Sequence, residues 1–222
     1  MILEKLRTEV LQAALDLKKY GLVWMAGGTV CVRDADSGMI VVTPSGLAYE
    51  DLTPADMVVT DADLNVIDGK LRPSVALNLW VKIMQLRPEI HAVVHTHSPY
   101  ATSFSVANQP VPVVTETMAD WFGQPVRVSK YYHVEAPEFL EAPIEALGDG
   151  FAMLLGRHGP ITIGETLADA MERAVTLEES AQIYVMAKVL GTPEVFSDEE
   201  TTASYEYYTN RYGQLDSSVE EN

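Results

Sequence analysis

The sequence predicts a single α/β domain with a central, mostly antiparallel β-sheet that is flanked by helices on both sides. Two observations carry this prediction. Short β-branched runs alternate with stretches of apolar residues at helical spacing, and a turn-rich DADSG separates two of the runs as a hairpin loop would. The 222 residues suffice for one substantial core. We expect this domain to span residues 1–214 and residues 215–222 to form an acidic, disordered tail.

The first half of the chain begins with a helix and continues with strands. Residues 2–19 place leucine, valine and alanine at helical spacing, and Gly21 is a plausible stop. Strand-like runs follow at TVCVRD (29–34), MIVVTP (39–44), DMVVTD (56–61) and NVID (65–68). SVALNLWVKIMQLRPE has helical length and ends near Pro88, before the short apolar run of HAVVH.

The second half follows the same alternation. PYATSFSVAN begins a helix, and FLEAPIEALGDG forms another helix that glycine closes. FAMLLG and GPITIG are predicted as strands on either side of His158. Residues 165–191 then form a long helix, in which the methionines are better explained as core than as cofactor contacts.

Charge and cysteine content exclude several classes of protein. The formal net charge of −17 argues against nucleic-acid and anionic-membrane surfaces, which require Lys and Arg. No apolar run approaches the roughly 20 residues that a transmembrane helix needs, and the N-terminus lacks a signal-peptide core. We therefore expect a cytosolic protein. The single cysteine, Cys31, excludes an intramolecular disulfide and is better explained as a packed residue than as a nucleophile.

Three of the five histidines lie within HAVVHTH, residues 91–97. Because strand side chains on one face recur every second residue, His95 and His97 share a face and can converge on one ion. His91 has the same parity but lies about 13 Å from His97, so it cannot join the same ligand set. Each histidine is equally well explained as a hydrogen-bonded core or surface residue, and the pair alone does not separate these interpretations.

His158 is the third candidate ligand, because it follows an apolar strand and precedes Gly159, where the backbone can approach a site closely. Three neutral imidazoles would leave a bound zinc ion one open position for water or substrate oxygen.

At this point the chain resembles the class II aldolase and L-ribulose-5-phosphate 4-epimerase family, which includes L-fuculose-phosphate aldolase. The resemblance covers roughly residues 2–214. It rests on GGTVCVRD, TPSGLAYEDLTPADMVV, GKLRPS, RPEIHAVVHTHSPYAT, MADWFG, HGPITIG and NRYGQ. It implies the class II aldolase fold, a homotetramer with active sites between subunits, and a divalent ion, usually Zn²⁺ and alternatively Mn²⁺ or Co²⁺.

The resemblance also assigns roles to particular residues. His95, His97 and His158 match the metal ligands. Asp120 matches the acid of the epimerases, Glu116 matches a glutamate of the methylthioribulose-phosphate dehydratase, and Tyr212 matches the C-terminal tyrosine of the epimerases. The substrate-binding positions correspond to Thr29, Thr43, Ser45, Gly46 and Ser74.

The chain departs from the family pattern at four positions. Val75 stands where a serine is common and Ala76 where members usually have an acid. Thr29 stands where an asparagine is common, and Thr43 replaces a lysine of the epimerases. The hydroxyl and amide cradle is therefore uncharged, which favours a weaker phosphate interaction or a neutral sugar.

The family implies metal-dependent retro-aldol chemistry on a ketose or ketose phosphate. Re-addition of the aldehyde on its other face would make the enzyme a ribulose-phosphate-type 4-epimerase, whereas its release would make an aldolase. Two further hypotheses are a sugar-phosphate dehydratase of the same family, and an inactive or engineered scaffold whose pocket was reshaped by the loss of the acid at Ala76.

Overall fold

One eight-stranded sheet organises the protein in its computed structural model, which describes residues 1–213; the predicted tail and Gln214 lie outside the described residues. The strand order is β4-β3-β2-β1-β5-β8-β7-β6, and every neighbouring pair is antiparallel except β6 and β7. This confirms the predicted mostly antiparallel sheet. The strands are β1 (Thr29–Arg33), β2 (Ile40–Val42), β3 (Val58–Thr60), β4 (Val66–Asp68), β5 (Ala92–His95), β6 (Arg127–Val128), β7 (Ala152–Leu155) and β8 (Gly159–Gly164).

Seven α-helices within residues 1–213 surround the sheet. They are α1 (Glu4–Lys19), α2 (Leu77–Leu86), α3 (Pro99–Ala107), α4 (Glu116–Phe122), α5 (Glu141–Leu147), α6 (Leu167–Leu190) and α7 (Asp198–Arg211). Short 3₁₀ turns occupy Tyr49–Asp51, Pro54–Asp56 and Pro137–Phe139. None of the helices in this part of the chain is long and apolar enough to cross a membrane.

The inner strands of the sheet are buried on both faces, which explains their nearly continuous apolar sequences, whereas the edge strands β4 and β6 are partly exposed. In β5, Val93 packs in a core with α2 and α5, whereas Ala92 and Val94 pack in a second core with α1. A third core lies among α3, α4 and α6. Cys31 is fully buried in the α2 core, as predicted for a packed residue. Because His95 has the parity of Val93, its side chain lies on the α2 face.

Helix α2 begins at Leu77, three residues later than the apolar pattern predicts. The preceding residues are held in an extended connection: Pro73 forms a bridge with Pro44, and the Ser45 N–H donates to the Arg72 carbonyl at 2.9 Å. Leu77 N–H then donates to Ser74 O at 3.1 Å, which closes the turn into the helix. This connection presents residues 74–76 to the end of β5 instead of absorbing them into the helix.

Helices α4 and α7 and strand β6 are present although the sequence pattern does not predict them. The two helices pack against each other, and Thr201 is the buried residue of α7. A helix with so little buried surface lacks the apolar stripe on which periodicity arguments depend.

Candidate metal centre

The ends of β5 and β8 bring the three predicted histidines together. His95 is the last residue of β5, His97 follows two residues later, and His158 lies in the turn just before β8. The Nε2 atoms of His95 and His97 are 3.1 Å apart, and those of His97 and His158 are 3.0 Å apart. Because β5 pairs with β8, residues that are about sixty positions apart in the chain meet at one point.

The His95 ring is oriented by the backbone of β8. Its Nδ1 lies 2.9 Å from the Pro160 carbonyl oxygen. Because a carbonyl only accepts hydrogen bonds, Nδ1 is the protonated nitrogen in this contact, and Nε2 keeps its lone pair. That lone pair faces the other two imidazoles, which is the tautomer that a metal ligand requires.

All three imidazoles are held in their neutral form at neutral pH. Burial lowers the pKa of His97 to about 4, with the neighbouring His158 contributing repulsion. Burial, followed by repulsion from both neighbours, lowers the pKa of His95 well below its ordinary value, and burial also lowers the pKa of His158. Neutral imidazoles bind cations without first releasing a proton.

Gly159 allows the two strand ends to approach this closely. A Cβ at this position would overlap the carbonyl oxygen of Thr96 and would lie 3.3 Å from His97 Cδ2. This agrees with the close backbone approach that the sequence indicates at Gly159.

The donor set fits a divalent cation. Zinc–nitrogen bonds of about 2.0–2.1 Å at a tetrahedral angle would separate two nitrogens by roughly 3.3 Å, which is close to the observed separations. His95, His97 and His158 are the group of three ligating side chains that lie within 4.8 Å of one another among residues 1–213. Three imidazoles suit zinc, and also the neighbouring transition metals.

The histidines line a cavity of about 150 Å³ that also exposes hydroxyl groups. Thr29 Oγ1 lies 3.0 Å from Ser74 Oγ, and the Trp80 indole N–H donates to Ser74 Oγ at 3.4 Å. Ser45 and Gly46 also line the cavity. Four of the five predicted substrate-binding residues therefore lie beside the histidine cluster.

Thr43 is the exception among the predicted substrate-binding residues. Its side chain is fully buried and does not line the cavity. Its Oγ1 accepts a hydrogen bond from Val30 N–H of β1 at 3.3 Å. The hydroxyl therefore lies in the interior between strands, outside the lining of the cavity.

No carboxylate lines the cavity in the described part of the chain. Ala76 occupies its wall beside Val75, and the fully buried Trp80 places its ring centroid 5.7 Å from that of His95. Periodicity alone does not single out Trp80 as a neighbour of the site. The one indication in the sequence is that Trp80 follows Ala76 by four residues, so the two side chains lie one helical turn apart on the same face of α2.

The three predicted acid–base residues lie elsewhere in the single chain. Glu116 and Asp120 are one turn apart on α4, and Asp120 accepts a hydrogen bond from Ser204 Oγ of α7 at 2.7 Å. Tyr212 follows α7 and stacks on Tyr208 at a centroid distance of 5.0 Å. Within residues 1–213 of one chain, none of these three residues lines the histidine cavity.

A second, wider hollow of about 880 Å³ lies between α1 and α6. It contains the carboxylates of Glu9, Asp16 and Glu172, but no histidine or cysteine lines it. Although this hollow is larger than the histidine cavity, its lining does not offer the imidazole ligands that the histidine cavity has.

Known proteins resemble this chain over most of its length. Residues 8–185 match the Class II Aldolase and Adducin N-terminal domain. A 5-deoxy-D-ribulose 1-phosphate aldolase of Bacillus thuringiensis serovar kurstaki is 32% identical over 200 residues, covering 90% of this chain and 93% of that protein. An L-ribulose-5-phosphate 4-epimerase of Salmonella paratyphi B is 33% identical, covering 84% of this chain and 86% of that protein.

A solved structure of an L-fuculose 1-phosphate aldolase superposes with a TM-score of 0.87 at 29% identity, covering 91% of this chain and 95% of that one. The relatives named here are aldolases and an epimerase, and this chain is an enzyme of the same kind. With its family match, its sheet and its histidine cluster, the chain belongs to the Class II Aldolase and Adducin N-terminal domain family.

Proposed function

We propose that this enzyme catalyses the reversible retro-aldol cleavage of a ketose phosphate at a divalent-cation site formed by His95, His97 and His158. The observation that carries the proposal is the convergence of three neutral imidazoles at a cavity that also exposes the hydroxyls of Thr29 and Ser74. The names of the aldolase relatives support a sugar phosphate as the substrate class.

A bound divalent cation would supply Lewis acidity, which stabilises negative charge on a carbonyl oxygen. The chain itself positions the substrate. Thr29, Ser45 and Ser74 offer hydroxyl and amide groups to the sugar or its phosphate, and Trp80 holds the Ser74 hydroxyl in place.

The cleavage needs a base and an acid. The base takes the proton of the C4 hydroxyl, the C3–C4 bond breaks, and C4 leaves as an aldehyde. The bonding electron pair moves to the C2 oxygen as an enediolate, and protonation at C3 gives the smaller ketose, which keeps the phosphate of a 1-phosphate, whereas a 5-phosphate leaves with the aldehyde.

We propose that Glu116, Asp120 and Tyr212 provide these proton transfers from a neighbouring subunit. They form one surface on α4 and the end of α7, apart from the histidine cavity of their own chain. A homotetramer with active sites between subunits, as the family resemblance implies, would bring this surface to the cavity of a second copy.

A 4-epimerase is the second candidate. Asp120 supports it, because it lies in the ADWF motif that resembles the epimerase acid, and so does the epimerase relative. Against it, Thr43 takes the position of the epimerase lysine in the family resemblance. Thr43 is uncharged and buried, so no positively charged side chain stands at this position. Glu116 and Thr43 also support a dehydratase, and Ala76 with the apolar stretches WMAGG and SVALNL supports an inactive scaffold.

Product analysis separates these reactions. We expect incubation with ketose 1-phosphates and pentulose 5-phosphates to release a two- or three-carbon aldehyde, detected by coupled reduction. Conversion of a pentulose phosphate to its C4 epimer without fragment release would favour the epimerase, and loss of water would favour the dehydratase.

Metal content tests the centre itself. We expect about one zinc, manganese or cobalt ion per chain by elemental analysis of the purified protein, and none in the His95→Ala, His97→Ala double variant. His91→Ala is the matched control, because His91 lies outside the cluster. A wild-type protein that stays metal-free in excess zinc would contradict the proposal and favour the scaffold.

A further inference from the structure

Glu178 is a buried carboxylate in the long helix α6 that takes no part in the proposed reaction. The residue is 9% exposed, and it forms no ion pair with a lysine, arginine or histidine within residues 1–213. A buried charge without a cation destabilises a fold unless hydrogen bonds compensate for the lost water. The hydrogen bonds of this carboxylate therefore indicate what it does.

Both carboxylate oxygens accept hydrogen bonds from the first turn of α3. Tyr100 N–H donates to Oε1 at 2.9 Å, and Ala101 N–H donates to Oε2 at 2.8 Å. Pro99, the first residue of this helix, has no N–H, and Thr102 N–H already donates to the Ser98 carbonyl at 3.0 Å. One side chain from a different helix thus satisfies both N–H groups that the first turn of α3 leaves free.

The residue that precedes α3 does not cap this helix. Ser98 stands at the N-cap position, where serine is among the preferred residues, yet its side chain makes no capping hydrogen bond. Its hydroxyl instead accepts a hydrogen bond from Thr96 Oγ1 at 3.3 Å. The cap of α3 therefore comes from α6, and it fixes the start of α3 against a second helix. The negative charge of the cap also suits the positive end of the helix dipole.

The start of α3 is directly connected to the histidine cluster. Residues 96–98 are the whole connection between the end of β5 and α3. At the β5 end, Thr96 N–H donates to the Pro160 carbonyl at 3.1 Å, and His97 N–H donates to the Leu22 carbonyl at 3.1 Å. At the α3 end, the carboxylate from α6 holds the helix. The His97 backbone is therefore fixed from both sides.

His97 is the imidazole on which this connection acts. Its Nε2 lies 3.1 Å from that of His95 and 3.0 Å from that of His158. Metal–nitrogen distances vary within about 0.2 Å, so a small displacement of α3 would open the ligand set. We infer that Glu178 is a positioning residue, which keeps His97 beside the other two imidazoles by holding the start of α3 on α6. The inference rests on the proposed function, because the positioning serves the cation that these imidazoles bind.

Glu178→Gln tests the inference at nearly constant side-chain volume. The amide keeps one oxygen acceptor but directs its NH₂ group at the other backbone N–H. We expect zinc affinity, measured by competition with a chromogenic chelator, to fall about 10- to 100-fold, as for other groups that orient metal ligands. The visible absorption bands of the cobalt-substituted protein, which report ligand geometry, should also change. Glu178→Asp keeps the charge on a shorter side chain and should have intermediate affinity, and it replaces Glu178→Gln if that variant does not fold.

Thr166→Ala is the matched control, because it removes a helix cap at a distance from the histidines. Thr166 Oγ1 accepts a hydrogen bond from Asp169 N–H at 3.1 Å at the start of α6, which follows the end of β8 that is remote from His158. This variant should lose stability but keep the zinc affinity and cobalt spectrum of the wild type. Wild-type affinity in Glu178→Gln, or an equal loss of affinity in Thr166→Ala, would overturn the inference.

Amide hydrogen exchange of the metal-free proteins distinguishes a failure of this inference from a failure of the proposed function. The His97 amide donates to Leu22 and not to Glu178. In Glu178→Gln we expect it to exchange at least about 10-fold faster relative to the amide of Val93, in the centre of β5, whereas Thr166→Ala should leave this ratio unchanged. A wild-type protein that binds no metal would contradict the proposed centre, and the exchange ratio would still decide for or against Glu178 as the residue that positions His97.

Discussion

Ala76 stands where the family resemblance places an acid, and a single substitution tests the effect of its absence on metal binding. The residue lines the cavity wall at the start of α2, with no carboxylate beside it in the described residues. A carboxylate there would offset the charge of a bound cation and supply a further oxygen ligand. We expect Ala76→Asp to raise zinc affinity at least about 10-fold, measured by competition with a chromogenic chelator.

Val75→Asp is the control for this experiment, because Val75 adjoins Ala76 and is 72% exposed. Its carboxylate would add the same charge from a position turned further towards solvent. Unchanged affinity in Ala76→Asp, or an equal gain in both variants, would show that position 76 is not the missing ligand.

At the residue scale, the sequence alone is informative where parity and motif agree. The two-residue periodicity of β5 places His95 and His97 on one face, and the structure brings them together with His158. Thr43 does not line the cavity, and its position in a motif does not reveal that Val30 N–H donates to its hydroxyl between strands. Trp80 escapes prediction as a neighbour of the site, because its contact with His95 depends on how α2 docks onto the sheet.

Helix α6 packs on both β5 and β8, the strands that position the histidines, so the capping of its N-terminus contributes to the stability of this region. Thr166 Oγ1 accepts a hydrogen bond from Asp169 N–H at 3.1 Å, and Asp169 Oδ2 accepts one from Thr166 N–H at 3.0 Å. We expect Thr166→Ala to lower the free energy of unfolding by about 1 kcal/mol, measured by urea denaturation.

Thr8→Ala is the control for the loss of a threonine hydroxyl. Thr8 lies exposed inside α1, where its hydroxyl donates to the Glu4 carbonyl. Alanine has the higher helix propensity, so we expect a change within about 0.5 kcal/mol of zero. A loss in Thr8→Ala as large as in Thr166→Ala would exclude capping as the cause.

Asp68 ties β4 to α1 and makes the stability of this junction depend on pH. Its carboxylate accepts hydrogen bonds from Ile2 N–H at 3.1 Å and from the buried Arg7 guanidinium at 2.6 Å. The Ile2 hydrogen bond and the Arg7 charge lower the Asp68 pKa below its ordinary value. The carboxylate therefore stabilises the fold above its unfolded-state pKa of about 4, and this contribution is lost as the pH falls through the folded-state pKa.

We expect Asp68→Asn to be less stable than wild type at pH 7 and to approach wild type at about pH 3. Urea midpoints at both pH values measure this, with the exposed Asp63→Asn on the preceding turn as control. A stability difference between Asp68→Asn and wild type that stays constant between the two pH values would contradict the linkage.

Elements with a strong apolar pattern are predictable from the sequence, and those without one are not. The hairpin of β1 and β2 forms in the predicted place, with Cys31 opposite Val42. Helix α7 escapes prediction because it buries little surface, and α4 because its seven residues are too few to establish a period. Their mutual packing explains why both exist.

The whole molecule combines a net charge of −17 with an exposed apolar end of α6. Val189 and Leu190 are 85% and 90% exposed, and Met186 is also exposed. Burial of these residues between subunits would oppose the repulsion between acidic chains. We expect the wild type to be a tetramer by light scattering, and the Val189→Asp, Leu190→Asp double variant to dissociate into smaller species.

Lys5→Asp is the control, because it changes the net charge by the same two units from an exposed site on α1. Higher ionic strength should screen the repulsion and favour the tetramer in all three proteins. A monomeric wild type would contradict the proposed intersubunit site, and an intact tetramer in the double variant would exclude this end of α6 from the interface.

The Pro160 carbonyl serves two donors, the His95 ring at 2.9 Å and Thr96 N–H at 3.1 Å. Both contacts use main-chain oxygen, which every amino acid supplies. The orientation of the His95 ring therefore depends on the pairing of β5 with β8 and not on which side chain occupies position 160. Substitutions in the walls of the pocket, including positions 75 and 76, therefore leave intact the main-chain contact that orients the His95 ring.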